Sequence, residues 1–326
     1  MSIYMREFLK KFNMKKIHKI VSIALIFVAI GVFLCQGLAY SLSNFYTLRP
    51  ASQFNSLSRE TTELLQQGAG KTSRGIRYEE YGDPEGIPLV LIPGIDGITE
   101  VYSSQLDFFK QSGFHIVAYY LPIAEEAMAQ GKEYSFEFIV QDLCEVMDEL
   151  GIEKSHVIGT SFGSFVAQQF KIKHHEKVDR LVLVSSAAYL ELPWLLGKLA
   201  KLVPYLPLSL SARLFARDVI SDQDGGFREK RDEYRRGIME TTARNTIVER
   251  VRLGNQFNSY RPDLQGIQGD VLIIYGEHDG FMGKRDALRL KEALPNANVE
   301  VISLPAGHFP QWIVPNAFNR EVRRFL

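Results

Sequence analysis

Short apolar runs alternate with amphipathic segments along most of the chain. The apolar runs are rich in Val, Ile and Leu, as buried strands are, and they cover residues 76–81, 88–92, 115–121, 157–158, 178–184, 271–275 and 299–304. Between them, apolar residues recur at helical spacing, as they do from Ser135 to Leu150. Strands that alternate with helices predict an α/β fold with a mostly parallel central sheet and helices on both faces.

One long interval interrupts this alternation. Residues 187–270 contain no convincing strand, and a segment of that length is too long for an ordinary loop. Its second half, residues 225–252, is charged and has a helical character. We therefore predict a helical cap over residues 190–266, inserted between two parts of the core at 74–189 and 267–326. Such an insertion would lie over the carboxyl ends of the strands, where ligands bind in open α/β sheets.

The N-terminal segment has a different pattern. Residues 1–19 carry six basic side chains and one acidic side chain, and residues 20–39 are uncharged and largely apolar. About twenty such residues span a bilayer as a helix, and the basic flank predicts a cytoplasmic N-terminus with the rest of the chain on the other side. The alternative is a signal peptide cleaved after Ala39, which would leave a secreted or periplasmic protein. Residues 40–73 are predicted to form a polar linker.

Charge and cysteine content exclude several function classes. The chain has 38 basic and 38 acidic residues, and with residues 1–19 set apart the remainder is slightly acidic. It therefore lacks the basic surface that nucleic-acid binding requires. Its two cysteines, Cys35 and Cys144, do not make a disulfide-stapled scaffold. No cluster of His, Cys and carboxylate residues has ligand spacing, so we expect neither a metal nor another cofactor.

A Gly-Thr-Ser-Phe-Gly pentapeptide follows the apolar run at 157–158 and precedes a helical segment. Such a strand-to-helix turn would expose the hydroxyl of Ser161 as a nucleophile. Gly159 and Gly163 suit it because side chains at these positions would collide in a sharp bend. The alternative is a tight turn without catalysis, so the interpretation depends on partner residues elsewhere.

Candidate partners for Ser161 follow two later strands. His308 comes after Gly307 on a loop that can reach the serine, and it would be the base that accepts the hydroxyl proton. Asp279 ends the preceding strand and would orient the imidazole. Glu277 is the alternative acid and His278 the rival base. The chain order Ser, Asp, His is that of the α/β-hydrolase arrangement.

The segment Pro93-Gly94-Ile95-Asp96-Gly97 follows the first fully apolar strand. The backbone N–H of Ile95, together with that of Phe162, would form an oxyanion hole for a tetrahedral intermediate. An ordinary glycine turn would have the same sequence, so this assignment depends on the nucleophile.

From residue 76 to residue 326 the chain resembles the α/β-hydrolase superfamily. PLVLIPGIDGITEVY is similar to its strand and oxyanion loop, HVIGTSFGSFVAQQF to its nucleophile elbow, and VLIIYGEHDGFM and LPAGHFPQWIVP to its acid and base segments. The layout is nearest to the cap-bearing esterase and lipase-like branch, with some similarity to maspardin-type members. Two positions depart from the pattern: Pro93 stands where histidine is common, and residues 121–126 replace a glycine-rich loop.

This resemblance implies a serine hydrolase that cleaves a carboxylic ester, lipid-derived esters among them, through an acyl-enzyme intermediate. One alternative is a catalytically silent adaptor, because the triad of maspardin-type members is considered incomplete. Another is a serine-triad enzyme that hydrolyses carbon–carbon bonds or forms peroxyacids. Ser161 argues against dehalogenases and epoxide hydrolases, which have aspartate at this position.

The first half of the cap carries an apolar stripe at helical spacing. Trp194 and Leu199 belong to it, and the basic residues Lys198 and Lys201 interrupt it. The simpler interpretation is that the stripe packs the cap onto the sheet. The functional alternative is that Trp194 and Leu199 bind the acyl chain of a small ester or lipid-like substrate, close to the membrane that holds the N-terminal helix.

Overall fold

The computed structural model describes residues 69–97, 99–189, 216–217, 219–241, 249–250, 252–254 and 263–326. The predicted membrane segment at 20–39 lies outside these residues, as does the apolar stripe that contains Trp194 and Leu199. Within the described part of the chain, no helix has both the length and the apolar character needed to cross a membrane.

Eight strands form one sheet in the order β1-β2-β4-β3-β5-β6-β7-β8. The pairs β1–β2 and β2–β4 are antiparallel, and every other neighbouring pair is parallel. The strands are β1 Ala69–Lys71, β2 Arg77–Tyr81, β3 Ile87–Ile92, β4 Phe114–Tyr119, β5 Ser155–Thr160, β6 Val178–Val184, β7 Gly269–Gly276 and β8 Ala297–Leu304. The predicted α/β fold with a mostly parallel sheet is confirmed.

Alternate residues of the central strands supply two separate cores, one on each face of the sheet. In β3, Val90 and Ile92 face one core whereas Leu89 and Leu91 face the other, as the two-residue period of a strand requires. The described helices that cover these faces are α1 Ser103–Gln111, α2 Ala124–Ala129, α3 Phe136–Glu149, α4 Phe162–Lys173, α5 Phe227–Thr241, α6 Lys284–Glu292, α7 Pro310–Ile313 and α8 Pro315–Phe325.

Helices α3, α4 and α6 contribute buried side chains to the first core, and α1 and α8 contribute to the second. The cap takes part in the second core, through residues that include Val219 and Tyr234. Helix α5 agrees with the helical character predicted for the second half of the cap. The described cap residues include no strand.

The main departure from the predicted organisation is β1. It lies in the segment predicted to be a linker and pairs with β2 in an antiparallel ladder, so the core begins before residue 74. The three residues of β1 include Gly70 and have no alternating apolar pattern. Hydrogen bonds to β2 hold this segment as a strand instead. Each of the seven predicted strands agrees with an observed strand to within two residues at either end.

Candidate active site

Six parallel strands, β3 to β8, bring their carboxyl ends to one edge of the sheet, and the candidate residues follow the ends of four of them. The oxyanion segment follows β3, Ser161 follows β5, and Asp279 and His308 follow β7 and β8. This edge is the one at which open α/β sheets bind ligands. The topology therefore brings together residues that are far apart in the sequence.

Ser161 stands on a sharp turn between β5 and α4, with φ 54° and ψ −119°. A Cβ on Gly159 would overlap the carbonyl oxygen of Gly163, and a Cβ on Gly163 would overlap the carbonyl oxygens of Ile92 and Pro93. Glycine at both positions is therefore what allows the turn to pack between β3 and α4. The sharp strand-to-helix turn is present, and its role as a nucleophile elbow stays a prediction.

His308 links the other two candidate residues. Its Nε2 lies 2.8 Å from Ser161 Oγ, and its Nδ1 lies 2.8 Å from Asp279 Oδ2. An ionised carboxylate only accepts hydrogen bonds, so the Asp279 contact favours the tautomer with the proton on Nδ1. Nε2 is then free to accept the Ser161 proton. All three residues are buried.

The carboxyl group of Asp279 is held in its ionised form. Burial raises its pKa, but the neighbouring His308 and the hydrogen bonds from His308 and from two backbone N–H groups together leave the pKa below its ordinary value. The backbone N–H groups of Phe281 and Met282 also donate to Asp279 Oδ1, at 2.8 and 3.0 Å. Glu277, the alternative acid, is exposed and instead accepts a hydrogen bond from the hydroxyl of Ser303.

The rival histidines lie elsewhere. His115 and His156 are near the amino ends of β4 and β5, at the opposite edge of the sheet. His278 Nδ1 is 3.8 Å from a carboxylate oxygen of Asp224, a cap residue. Of the histidines in the described chain, His308 is the one whose ring contacts Ser161.

The predicted oxyanion donors flank the nucleophile. Phe162 begins α4, so its N–H is among the first four of the helix, which have no partner within the helix and lie at the positive end of its dipole. The loop that carries Ile95 also approaches the serine, since a Cβ on Gly94 would stand 3.7 Å from Ser161 Cβ. The role of Ile95 and Phe162 as donors stays a prediction.

Two cap residues hold the oxyanion segment, and no local sequence pattern points to either of them. Tyr234, in α5, donates a hydrogen bond from its hydroxyl to Asp96 Oδ2. Arg250 donates from Nη1 to the carbonyl oxygen of Ile95 at 2.8 Å, and from its other nitrogens to the Tyr134 hydroxyl and two backbone carbonyls. Burial, and then the nearby Asp96, raises the pKa of Tyr234 well above its ordinary value, so the phenol stays protonated.

A second part of the cap holds the loop that carries the histidine. The backbone N–H of His308 donates to the carbonyl oxygen of Val219 at 3.0 Å. The N–H of Gly307 donates to Asp224 Oδ1 at 2.8 Å, and the side chain of Asp224 is buried. The cap therefore contacts both the oxyanion segment and the base, which is a structural role that its composition did not reveal.

Phe281 is an apolar residue at the mouth of the site that sequence analysis missed. Its side chain is 45% exposed, and its ring lies edge-on to that of His308 with centroids 5.7 Å apart. It follows Asp279 by two residues, and an exposed aromatic so close to a candidate acid was the available signal.

Comparison with known proteins assigns the fold independently. The family model described as alpha/beta hydrolase fold matches residues 87–315, well over half of the chain. A 2-hydroxymuconate semialdehyde hydrolase of Pseudomonas putida is 29% identical over 77% of this chain and 91% of that protein. A 2-hydroxy-6-oxononadienedioate/2-hydroxy-6-oxononatrienedioate hydrolase of Paraburkholderia phymatum is 26% identical over 82% of this chain and 96% of that protein.

Solved structures show the same fold. An enol-lactonase from Burkholderia xenovorans LB400 superposes with a TM-score of 0.64 at 18% identity, over 76% of this chain and 95% of that one. A meta-cleavage product hydrolase from Pseudomonas fluorescens IP01 gives a TM-score of 0.62 at 23% identity, over 79% and 97% of the two chains.

Proposed function

The chain belongs to the α/β-hydrolase fold family, and from that premise we propose that it is a serine hydrolase that cleaves carboxylic esters. The observation that carries the proposal is the position of His308, whose Nε2 is 2.8 Å from Ser161 Oγ while Nδ1 is 2.8 Å from Asp279. A serine hydroxyl becomes a competent nucleophile when a positioned base takes its proton, and this arrangement supplies that base.

The proposed reaction has two halves. Ser161 Oγ attacks the ester carbonyl carbon while its proton passes to His308 Nε2, and the N–H groups of Ile95 and Phe162 bind the oxygen that becomes negative. The tetrahedral intermediate expels the alcohol, which takes the proton from His308 and leaves an acyl group on Ser161. A water molecule, deprotonated by His308, then attacks this acyl group. As the bond to Ser161 Oγ breaks, His308 returns the proton to that oxygen and the carboxylic acid is released. Asp279 stabilises the imidazolium formed in each half.

The electrostatics of the site favour an uncharged, partly apolar substrate. Two carboxyl groups are buried beside the site: that of Asp96, which belongs to the oxyanion segment, and that of Asp224, which contacts the histidine loop. Arg250 offsets this charge, but its hydrogen-bond donors already bind backbone carbonyls and Tyr134. Phe281 offers an exposed ring beside His308. An ester with an apolar acyl or alcohol group suits these surroundings better than a substrate with two carboxylate groups does.

Hydrolysis of a carbon–carbon bond is the second candidate, and the relatives favour it. The Pseudomonas putida protein is named for a semialdehyde and the Paraburkholderia phymatum protein for dicarboxylates. Attack of Ser161 on a ketone carbonyl, with a stabilised carbanion as leaving group, would use the same triad. The two candidates differ in the substrate that the pocket must bind.

The test is a direct competition between these substrate classes on the full-length protein. We expect the wild type to hydrolyse p-nitrophenyl butyrate at least about tenfold more efficiently than 2-hydroxymuconate semialdehyde, and Ser161→Ala to lose both activities. Efficient turnover of the semialdehyde with negligible ester hydrolysis would replace the ester proposal with the carbon–carbon one. Activity that survives in Ser161→Ala would remove both.

We also propose that residues 20–39 anchor the protein in a membrane, with the catalytic domain outside the cytoplasm. The uncharged segment behind a basic lead supports this topology. Protease added to intact cells that express the chain should then degrade the catalytic domain but not a cytoplasmic control protein. Recovery of a mature chain that begins at Tyr40 would favour the cleaved signal peptide instead.

A further inference from the structure

Two serines are the non-glycine residues with positive φ in the part of the chain that the structure describes. One is Ser161, with φ 54°, and the other is Ser185, with φ 46°. L-residues rarely adopt this conformation, and where it persists in a buried side chain the surrounding structure must hold it in place. For Ser161 the reason is the nucleophile elbow. Ser185 needs a reason of its own.

Ser185 directly follows β6, as Ser161 directly follows β5. Thr160 pairs with Val184 in the parallel ladder, so the two serines are the next residue of each strand. The N–H of Ser161 donates to the carbonyl oxygen of Val184 at 2.9 Å, which continues the ladder into the turn. Ser185 is therefore anchored beside the nucleophile at the same edge of the sheet.

The hydroxyl of Ser185 contacts the candidate base. Its Oγ donates to the backbone carbonyl oxygen of His308 at 2.8 Å, and both residues are fully buried. The N–H of Ser185 donates to the carbonyl of Ile274 in β7, which fixes the serine on the other side. The bond from Ser185 Oγ to His308 therefore ties the histidine loop to the end of β6.

The next residue, Ser186, reaches the nucleophile through a chain of buried hydrogen bonds. Gln168 Nε2 donates to Ser186 Oγ at 2.9 Å, and Ser186 Oγ lies 2.8 Å from Ser164 Oγ. Ser164 Oγ in turn donates to the carbonyl oxygen of Ser161 at 2.5 Å. Ser164 Oγ therefore lies within hydrogen-bond distance of both Ser186 Oγ and the carbonyl oxygen of Ser161, and it links the end of β6 to the nucleophile elbow.

We propose that Ser185 is a positioning residue that sets the distance between Ser161 Oγ and His308 Nε2. Neighbouring residues at the end of β6 hold the two partners: Ser185 holds the histidine loop, and Ser186 holds the nucleophile elbow. The proposal deepens the serine hydrolase function and rests on it. A displacement of about 1 Å of a reacting group can lower a rate about a hundredfold, so a fixed reference point for both groups matters.

Because φ of Ser185 is positive, two variants can separate the effect of losing the hydroxyl from the effect of backbone strain. Ser185→Ala removes the donor and keeps a side chain in the disfavoured conformation. Ser185→Gly also removes the donor, but glycine adopts positive φ without steric conflict. A positioning role predicts that both variants react slowly. A role confined to packing predicts that the reaction rate follows stability.

The experiment compares these two variants with the wild type and with Ser155→Ala in the full-length protein. Ser155 is a matched control because it is a buried serine at the other end of β5, with its Oγ 3.9 Å from Met147 Sδ. The measurements are the rate constant for labelling of Ser161 by a fluorophosphonate and the melting temperature. The kcat and KM for p-nitrophenyl butyrate complete the set.

We expect Ser185→Ala and Ser185→Gly to be labelled at least about tenfold more slowly than the wild type, with KM changed less than about twofold. Ser185→Gly should melt at a higher temperature than Ser185→Ala, so the rate follows the hydroxyl rather than stability. Wild-type labelling rates in Ser185→Gly, or an equal loss in Ser155→Ala, would overturn the proposal while leaving the serine hydrolase intact. A wild-type protein that is not labelled at all would instead remove the proposed function, and this proposal with it.

Discussion

The two halves of the candidate site are positioned in different ways. Ser161, Asp279 and His308 follow the ends of three parallel strands, and the ladders of the sheet fix where those strands end. The oxyanion segment also follows a strand, but its partners Tyr234 and Arg250 belong to the cap. The sheet positions the first half, to which the cap adds only the bonds of Val219 and Asp224 to the histidine loop. The second half depends on how the cap sits on the sheet.

The proposed reacting side chains and the proposed oxyanion-binding segment are therefore held by different parts of the molecule. The strand-end half contains the groups that we propose transfer protons and form the covalent bond. The cap-held half controls the peptide that is proposed to bind the oxyanion, through contacts 138 and 155 residues apart in the sequence. We therefore expect changes in the first half to abolish the reaction and changes in the second to slow it.

The largest expected effect tests the strand-end half. Asp279→Asn should lower kcat about 10³- to 10⁴-fold, because the amide stabilises the wrong tautomer of His308 and no longer balances the imidazolium charge. Glu277→Gln is the matched control, since Glu277 is exposed and bonded to Ser303. Steady-state kinetics on p-nitrophenyl butyrate provide the measurement. If Glu277→Gln is the damaging change, the acid has been assigned to the wrong residue.

A smaller effect is expected in the cap-held half. Tyr234→Phe removes the hydroxyl that donates to Asp96, and we expect kcat to fall about tenfold as the oxyanion segment loses its fixed position. Tyr81→Phe is the control, because Tyr81 also donates to a buried carboxylate, that of Glu79, away from the site. Equal kcat losses in both variants would show that destabilisation, rather than the cap contact, causes the effect.

A change at Phe281 tests whether the mouth of the site contributes to the choice of acyl chain length. Each buried methylene contributes about 0.8 kcal/mol, so contact with this ring should favour longer acyl chains. Phe281→Ala should lower kcat/KM for octanoyl esters about three- to tenfold more than for acetyl esters. Leu288→Ala, which truncates a 43% exposed side chain on α6, is the control. A uniform loss across the chain-length series would contradict the prediction.

The smallest expected effect concerns Asp142, a residue outside both halves of the site, and it changes stability without changing activity. Burial raises the pKa of Asp142, in α3, to about 6, although Arg74 opposes the shift. A carboxyl group with a raised folded-state pKa favours folding below about pH 4, and that contribution is lost as the pH rises through about 6. Between pH 4.5 and pH 7 the melting temperature of the wild type should therefore fall by about 2–4 °C relative to Asp142→Asn.

Activity at pH 7 should be unchanged in Asp142→Asn, which separates a stability effect from the catalytic ones. Thermal melts across the pH range provide the measurement. A difference in melting temperature that stays constant from pH 4.5 to pH 7 would contradict the raised pKa.

Sequence predicted most of the sheet because its strands carry strong local signals. The run at Val178–Val184 agrees with β6 at both ends, since a continuous apolar segment specifies a strand buried on both faces. The strand Ala69–Lys71 was missed because its order comes from pairing with β2 rather than from its own composition. The local sequence pattern predicts a strand well where the strand is buried on both faces. It predicts a strand poorly where pairing with a neighbouring strand is what orders the segment.

The same distinction applies to the site. Ser161, Asp279 and His308 could be found because each is preceded by a strand and flanked or preceded by a glycine that a turn requires. Tyr234, Arg250 and Asp224 could not, because a tyrosine, an arginine and an aspartate in a charged helical segment look like ordinary surface residues. Their roles arise from the docking of the cap, which no local pattern describes.

The most direct test of the central claim is covalent labelling of the full-length protein with a fluorophosphonate, followed by mass spectrometry of its peptides. We expect the wild type to carry one adduct, on the peptide that contains Ser161, and Ser161→Ala to carry none. Equal labelling of the two proteins, or an adduct on another residue in both, would contradict the assignment of Ser161 as the nucleophile.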